Sequence, residues 1–252
     1  MIIDCHYHLR REILPIDQLL AQMEAEGVDQ IALIAEDMGS HLPPISPKFE
    51  AIGRFILTHR IFNGLSPKMY SRFTPDGDYT TPRGVLKIIQ DPDNEPVFSA
   101  IINYPKKFLG WIYVNPNGQN DLMQEFNKWV DSPGVVGVKA HPFNHRFPPI
   151  DLLPVAEQIS ALGKPMLLHL GFGSHGDYRA LLKAVPELKL IIAHAGFPKY
   201  AKFWKDIKSL PNAFVDLSQT SIVDEKITRD VVKYLGVNRC LFGTDGPFGS
   251  KG

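Results

Sequence analysis

Short apolar runs alternate with longer amphipathic stretches along most of this chain. Several short runs are apolar at nearly every position, which is typical of parallel strands covered on both faces. The longer stretches keep their apolar residues on one helical face, as Leu19, Leu20 and Met23 do. The predicted strands are 2–8, 29–36, 108–115, 135–140, 165–170, 189–194, 213–217 and 239–245, and the predicted helices are 16–26, 121–131, 152–162, 177–186, 199–209 and 224–235.

Eight strands with intervening helices predict an α/β fold, a (β/α)₈ TIM barrel formed by residues 1–252 as one domain. The alternative is an open doubly wound sheet. Such a sheet usually has a glycine-rich phosphate turn after its first strand. Here residues 9–15 (LRREILP) contain no glycine, so the closed barrel is favoured.

Two segments depart from the regular alternation. Residues 38–107 form a predicted insertion after the second strand, with helix-like pieces at 48–62 and 83–91. An insertion at this side of a barrel lies over the active-site face, so it is either a lid or a cap packed for stability. The sequence ends at Gly252, just past the eighth strand, which predicts a short or missing final helix. Cover for that strand would come from elsewhere in the chain, from further sequence or from a homodimer partner.

The chemistry begins in the first strand, which reads Asp4-Cys5-His6-Tyr7-His8. Side chains alternate along a strand, so Asp4, His6 and His8 share one face and Cys5 points away. Two imidazoles at this spacing can bind one metal ion. His169, His194 and Asp245 each end another apolar strand, and these strand ends converge in a barrel. Histidines with one carboxylate suit zinc, iron or manganese better than calcium.

Lys139 lies at the end of the fourth predicted strand, inside an apolar run. It could hold a second metal after carbamylation, and we favour a substrate or supporting role. Three polar residues of the following loops are candidate substrate contacts: Arg10, His141 and Arg146. Arginine offers a bidentate fork to a carboxylate.

Charge and cysteine content narrow the class of protein. The chain has 27 basic and 27 acidic residues, which gives no electrostatic reason to expect nucleic acid or an anionic membrane as partner. Two cysteines do not form a disulfide framework. The N-terminus has no signal-peptide pattern, and no apolar run is long enough to cross a membrane. These features predict a cytoplasmic enzyme for a small molecule.

Five stretches, IDCHYHL, GVVGVKAHP, KPMLLHLG, LKLIIAHAG and RCLFGTDGPF, resemble the amidohydrolase superfamily. The resemblance is to the amidohydrolase-related branch, which includes aminocarboxymuconate-semialdehyde decarboxylase and the pyrone-dicarboxylate lactonases. It implies that His6, His8, His169 and Asp245 bind the metal, and that Asp245 also moves protons. It implies that His194 orients substrate or binds a second ion, and that Lys139 occupies the position carbamylated in some two-metal relatives.

The resemblance and the residues together predict a metal-dependent hydrolase of a small amide, lactone or ester bearing a carboxylate. One ion is favoured over two, and zinc over manganese or iron. The first alternative is a non-oxidative decarboxylase of an unsaturated or aromatic carboxylic acid on the same metal site. The second alternative is a non-catalytic barrel that binds a ligand. A structural zinc site is normally closed by four protein ligands, often cysteines, which disfavours this last alternative.

Overall fold

Eight parallel strands form one sheet in the computed structural model, which describes residues 1–39, 52, 55, 78–81 and 84–247. Neighbours in this sheet follow chain order, as right-handed βα units require. The eight barrel strands are β1 (Ile3–His8), β2 (Gln30–Ile34), β5 (Phe108–Tyr113), β6 (Val135–Ala140), β7 (Met166–Leu168), β8 (Leu190–Ile192), β9 (Ala213–Asp216) and β10 (Cys240–Leu241).

Helices cover the outside of this barrel between its strands. Each of the six helices predicted from the amphipathic pattern is present within its predicted bounds. The described helices are α1 (Ile16–Glu26), α2 (Glu95–Asn103), α3 (Leu122–Trp129), α4 (Pro142–His145), α5 (Leu153–Ala161), α6 (Tyr178–Ala184), α7 (Tyr200–Ile207) and α8 (Glu225–Leu235), with 3₁₀ turns at Pro149–Leu152, Gly173–Gly176, His194–Gly196 and Val237–Arg239.

The barrel closes where the segment after β10 runs beside β1. The Cys5 amide donates to the Phe242 carbonyl at 3.0 Å, and the His8 amide donates to the Gly246 carbonyl at 2.8 Å. The Asp245 amide donates back to the His6 carbonyl at 2.8 Å. These bonds confirm the predicted (β/α)₈ barrel, and they place Asp245 beside the histidines of β1.

The segment between β2 and β5 differs from the prediction in two places. Residues 84–86 form a strand, β4 (Gly84–Leu86), paired antiparallel with β3 (Tyr79–Thr81), so the helix predicted over 83–91 is wrong. Cross-strand pairing favours the extended conformation of this segment over a helix. Ile88, just after β4, also bridges Met38 and buries its side chain. Most of the predicted helix 48–62 and of the predicted lid lies outside the described residues.

Helix α2 was missed by the sequence pattern, and it is an ordinary barrel helix that covers β5. Its residues Val97 and Ile101 pack against Gly110, where an added Cβ would lie 2.9 and 2.6 Å from their side chains. The tail of the predicted insertion is therefore part of the barrel. In the described part of the chain, no helix is long and apolar enough to cross a bilayer.

A substitution at Gly137 tests how tightly the barrel strands pack. A Cβ at this position of β6 would lie 2.1 Å from the Pro165 carbonyl oxygen and 2.8 Å from the Trp111 ring. We expect Gly137→Ala to lower the free energy of unfolding by about 1–3 kcal/mol, since backbone cannot move aside easily. Urea unfolding followed by circular dichroism measures this change.

The matched control is Gly39→Ala, whose added Cβ would find its nearest atom at an ordinary 3.5 Å. It should change the unfolding free energy by less than about 0.5 kcal/mol. Equal effects of the two substitutions would contradict the close approach at Gly137.

Candidate metal centre

The histidines of β1 present their rings at the carboxyl end of the barrel, and both rings are held by their Nδ1 atoms. Nδ1 of His6 lies 2.9 Å from an Asp216 carboxylate oxygen, and Nδ1 of His8 lies 3.2 Å from the Ala35 carbonyl. Both acceptors lack protons, so each Nδ1 donates and each Nε2 keeps its lone pair. This is how metal-binding histidines are usually oriented in proteins.

Asp245 lies against those two Nε2 atoms. Its Oδ1 is 3.2 Å from Nε2 of His6 and 3.6 Å from Nε2 of His8. Gln219 donates to the other carboxylate oxygen at 3.0 Å. Donor atoms of His6, His8 and Asp245 all fall within 4.8 Å of one another, so the structure brings three of the four predicted metal ligands into one group.

His169, the fourth predicted ligand, directly follows β7 and lies outside that close group. Its Nδ1 is 3.1 Å from Nε2 of His194, while its own Nε2 is buried and has no hydrogen-bond partner among the residues that the structure describes. A buried polar atom without a partner is unusual and fits a ligand to an ion. The role of His169 as a ligand stays a prediction.

His6, His194 and Asp216 form a second close group, and hydrogen bonds already join its members. Asp216 already accepts hydrogen bonds from the His6 ring and from the His194 amide, which lies 3.0 Å away. Burial alone would raise the pKa of Asp216, but the neighbouring His6 and the hydrogen bonds outweigh it and hold this pKa well below its usual range. The group is therefore a hydrogen-bonded anchor for the histidines.

Lys139 is fully buried at the end of β6, with Nζ 3.3 Å from Nε2 of His6. Burial lowers the pKa of Lys139, and nearby carboxylates oppose that shift. Burial likewise raises the pKa of Asp245 well above its usual range, against the attraction of Lys139. The Lys139 amine thus lies against the nitrogen that would bind a metal, and the charges of Lys139 and Asp245 act on each other.

The three predicted substrate contacts have different surroundings. Arg10 is buried and donates to Glu36 at 2.7 Å and to the Met38 carbonyl at 3.0 Å, which favours a structural role. His141 is buried, and its ring stacks on His169 with centroids 4.1 Å apart. Arg146 is half-buried, with a left-handed φ of 55°, and ends α4. As substrate contacts all three stay predictions.

Sequence reasoning missed several polar residues that complete the site. Asp37 is buried and accepts from the Tyr113 hydroxyl at 3.1 Å and from the Asn144 side chain at 3.2 Å. Asp37 and Asp216 follow or end apolar strands, so the reasoning applied to Asp245 would also have found them. Ser218 and Gln219 carry no such signal, because loop geometry alone brings them to the site.

Comparison with known proteins agrees with this geometry. The sequence profile of the amidohydrolase family matches residues 77–251, more than half of the chain. This chain belongs to the amidohydrolase family. The family expected from the sequence is thereby confirmed. A search of curated protein sequences finds no match to this amidohydrolase.

Solved structures share the fold of this amidohydrolase at low sequence identity. An uncharacterised TIM-barrel protein from Bordetella bronchiseptica matches with a TM-score of 0.64 and 15% identity, covering 98% of this chain and 86% of that chain. The 5-carboxyvanillate decarboxylase of Sphingomonas paucimobilis has a TM-score of 0.56 and 13% identity, with coverages of 99% and 90%. A dihydroxybenzoic acid decarboxylase of a Polaromonas species, with bound manganese and 2-nitroresorcinol, has a TM-score of 0.56 and 15% identity, with coverages of 99% and 87%.

The metal-binding role of the β1 histidines can be tested by substitution. We expect His6→Ala to lose most bound zinc or manganese, because it removes a donor and frees the Asp216 carboxylate. His194→Ala should retain more metal, since it lies outside the group formed by His6, His8 and Asp245. Metal content after dialysis is measured by plasma mass spectrometry. His175→Ala, in the 3₁₀ turn Gly173–Gly176, is the control, and full occupancy in His6→Ala would contradict the site.

Acidification should destabilise the metal-free protein. Burial lowers the pKa of His8 and of His194 to about 4, and lowers the pKa of His6, His141 and His169 well below its usual range. The unfolded chain therefore binds protons between about pH 6.5 and pH 4 that the folded chain does not. The neutral histidines therefore contribute fully to the free energy of unfolding above about pH 6.5, and this contribution is lost as the pH falls towards 4.

Asp245 acts in the opposite direction, because its raised pKa favours the folded state on acidification. Each of the five histidines loses about 2 kcal/mol of stabilisation between pH 7 and pH 5, and together they outweigh Asp245. We therefore expect the free energy of unfolding to fall by several kcal/mol over this range. Urea titrations of the metal-free protein at several pH values measure the slope. His8→Asn should flatten it, and equal stability at pH 7 and pH 5 would contradict the burial of neutral histidines.

Proposed function

We propose that this amidohydrolase uses one divalent ion to decarboxylate a small planar carboxylic acid, aromatic or unsaturated. The observation that carries the proposal is a group of flat rings beside the histidine donors. His141, Phe143 and Phe197 have ring centroids 4.1, 5.2 and 6.0 Å from that of His169. Flat rings of this kind suit a planar substrate, which gains by stacking on them.

The comparisons support this choice over hydrolysis, the main expectation from the sequence. Two solved structures with the same fold are decarboxylases whose names specify aromatic acids, 5-carboxyvanillate and dihydroxybenzoic acid. Hydrolysis of a small amide, lactone or ester stays the second candidate, because family membership favours it and the donor set serves both reactions.

We infer that His6, His8, His169 and Asp245 hold the ion. Imidazole nitrogens with one carboxylate suit zinc and manganese alike, and the Polaromonas decarboxylase contains manganese. When bound, the ion supplies positive charge that holds the oxygen atoms of the substrate. A single ion is favoured because both ring nitrogens of His194 already lie in hydrogen bonds, to Ser218 and to His169.

The protein's own residues supply the proton and the setting for decarboxylation. Asp245 carries the reacting proton and delivers it to the carbon that carries the carboxylate. The carbon–carbon bond then breaks, its electron pair returns to the planar system, and carbon dioxide leaves. Solvent returns a proton to Asp245. Lys139, a buried amine beside His6, offers a hydrogen bond or a positive charge to the departing carboxylate.

The partners and location of the protein follow from this proposal only in part. A small-molecule substrate belongs to it. A homodimer, the absence of nucleic-acid and membrane partners, and a cytoplasmic location stay predictions from the sequence.

Carbon dioxide release tests the proposed reaction. Purified protein loaded with manganese or zinc is incubated with hydroxylated benzoates and unsaturated dicarboxylates, and in parallel with lactones and amides. We expect carbon dioxide from at least one carboxylate. We also expect Asp245→Asn to lower kcat by at least about 10²-fold, because it removes the proton donor.

Glu187→Gln, a substitution at an exposed position, is the matched carboxylate-to-amide control and should leave the rate unchanged. Turnover of lactones or amides without any carbon dioxide from carboxylates would favour hydrolysis and overturn the proposal.

A further inference from the structure

We propose that Ser218 is a positioning residue that sets the tautomer of His194 and, through it, the tautomer of His169. The consequence is that Nε2 of His169 is left unprotonated and available to an ion. The part that concerns metal binding rests on the proposed function. The tautomers themselves are properties of the metal-free protein and do not depend on the proposed reaction.

The chain of hydrogen bonds starts at the buried carboxylate of Asp216. Its Oδ1 accepts from the backbone amides of His194 and Ser218, each at 3.0 Å, and from the Ser218 hydroxyl at 2.5 Å. A carboxylate has no proton to give, so the single hydroxyl proton of Ser218 must point towards Asp216. The Ser218 oxygen is then free only to accept.

His194 is the next link in the chain. Its Nδ1 lies 2.8 Å from the Ser218 oxygen, so Nδ1 must carry the proton that is shared there. His194 is buried, and its Nε2 lies against a ring nitrogen of His169, so a charged ring would be costly there. The neutral ring holds no second proton. Nε2 of His194 is therefore an acceptor.

His169 completes the chain, because its Nδ1 lies 3.1 Å from that acceptor. Nδ1 of His169 must donate, and its Nε2 is left without a proton. Nε2 of His169 is also one of the buried atoms that have no hydrogen-bond partner within the described part of the chain. One serine hydroxyl thus decides which nitrogen of His169, two hydrogen bonds away, is left without a proton.

His141 provides an internal reference with the opposite tautomer. Its Nδ1 accepts from the Asn144 backbone amide at 3.0 Å, so its single proton is on Nε2. His141 stacks on His169, so both rings share one environment and differ in hydrogen bonding. Their ¹⁵N spectra should therefore show the protonated nitrogen as Nε2 in His141 and as Nδ1 in His169.

The experiment measures tautomers by two-bond ¹H–¹⁵N correlation on the metal-free full chain, labelled with ¹⁵N-histidine. In the unsubstituted protein we expect Nδ1–H for His169 and His194 and Nε2–H for His141. In Ser218→Ala, His194 loses its acceptor, so His194 and His169 should move to Nε2–H or to an average. His141 should not change. The Kd for Mn²⁺, measured by competition with a chelator, should rise about 10–100-fold.

Two variants separate positioning from general damage. Ser218→Thr keeps the hydroxyl and should restore both the tautomers and most of the Mn²⁺ affinity. Ser209→Ala removes a hydroxyl from an exposed serine and should change neither. The proposal is overturned if His169 carries its proton on Nε2 in the unsubstituted protein, or if Ser218→Ala leaves both tautomers unchanged. An absence of carbon dioxide release with the expected tautomers would count against the proposed reaction alone.

Discussion

The buried carboxylate of Asp216 is the interaction on which the site depends. Removing a charge from water is costly unless hydrogen bonds and opposite charge replace the lost solvent. Asp216 is fully buried, and it is satisfied by the His6 ring, by the His194 amide and by the amide and hydroxyl of Ser218. Because these donors come from β1, from the turn after β8 and from the loop after β9, one carboxylate fixes three parts of the barrel rim relative to one another.

The same rim contains the backbone conformations that are unfavourable for ordinary side chains. His194, Ala195, Gln219 and Asp245 all have left-handed φ angles, between 53° and 68°. Such residues cost on the order of 1–3 kcal/mol each, and they persist where surrounding structure holds them. Here hydrogen bonds hold three of them, because the His194 amide donates to Asp216, the Gln219 amide to the Thr244 carbonyl and the Asp245 amide to the His6 carbonyl. None of the described residues in the barrel strands has a positive φ.

Charge explains why the site accepts a cation and also why the reaction is difficult to infer from the donors. The buried histidines are neutral, because burial lowers their pKa, so each can offer a lone pair. Burial raises the pKa of Asp245 and lowers the pKa of Lys139, so each group can act as an acid or as a base. Hydrolysis and decarboxylation both use such a set, so the choice between them depends on the rings and loops that receive the substrate.

The sequence by itself determined the barrel, its eight strands, six of its helices and the strand-end histidines and carboxylate, because these follow from local periodicity and from the convergence of parallel strand ends. It missed α2 and the β3–β4 hairpin, which depend on packing against Gly110 and on cross-strand pairing. Only the tertiary structure revealed that Ser218 and Asp216 orient His194 and that Arg10 donates to Glu36. It also revealed that Nε2 of His169 has no partner among the described residues. Those contacts join residues far apart in the chain, and no local pattern of polarity encodes which nitrogen of a ring carries a proton.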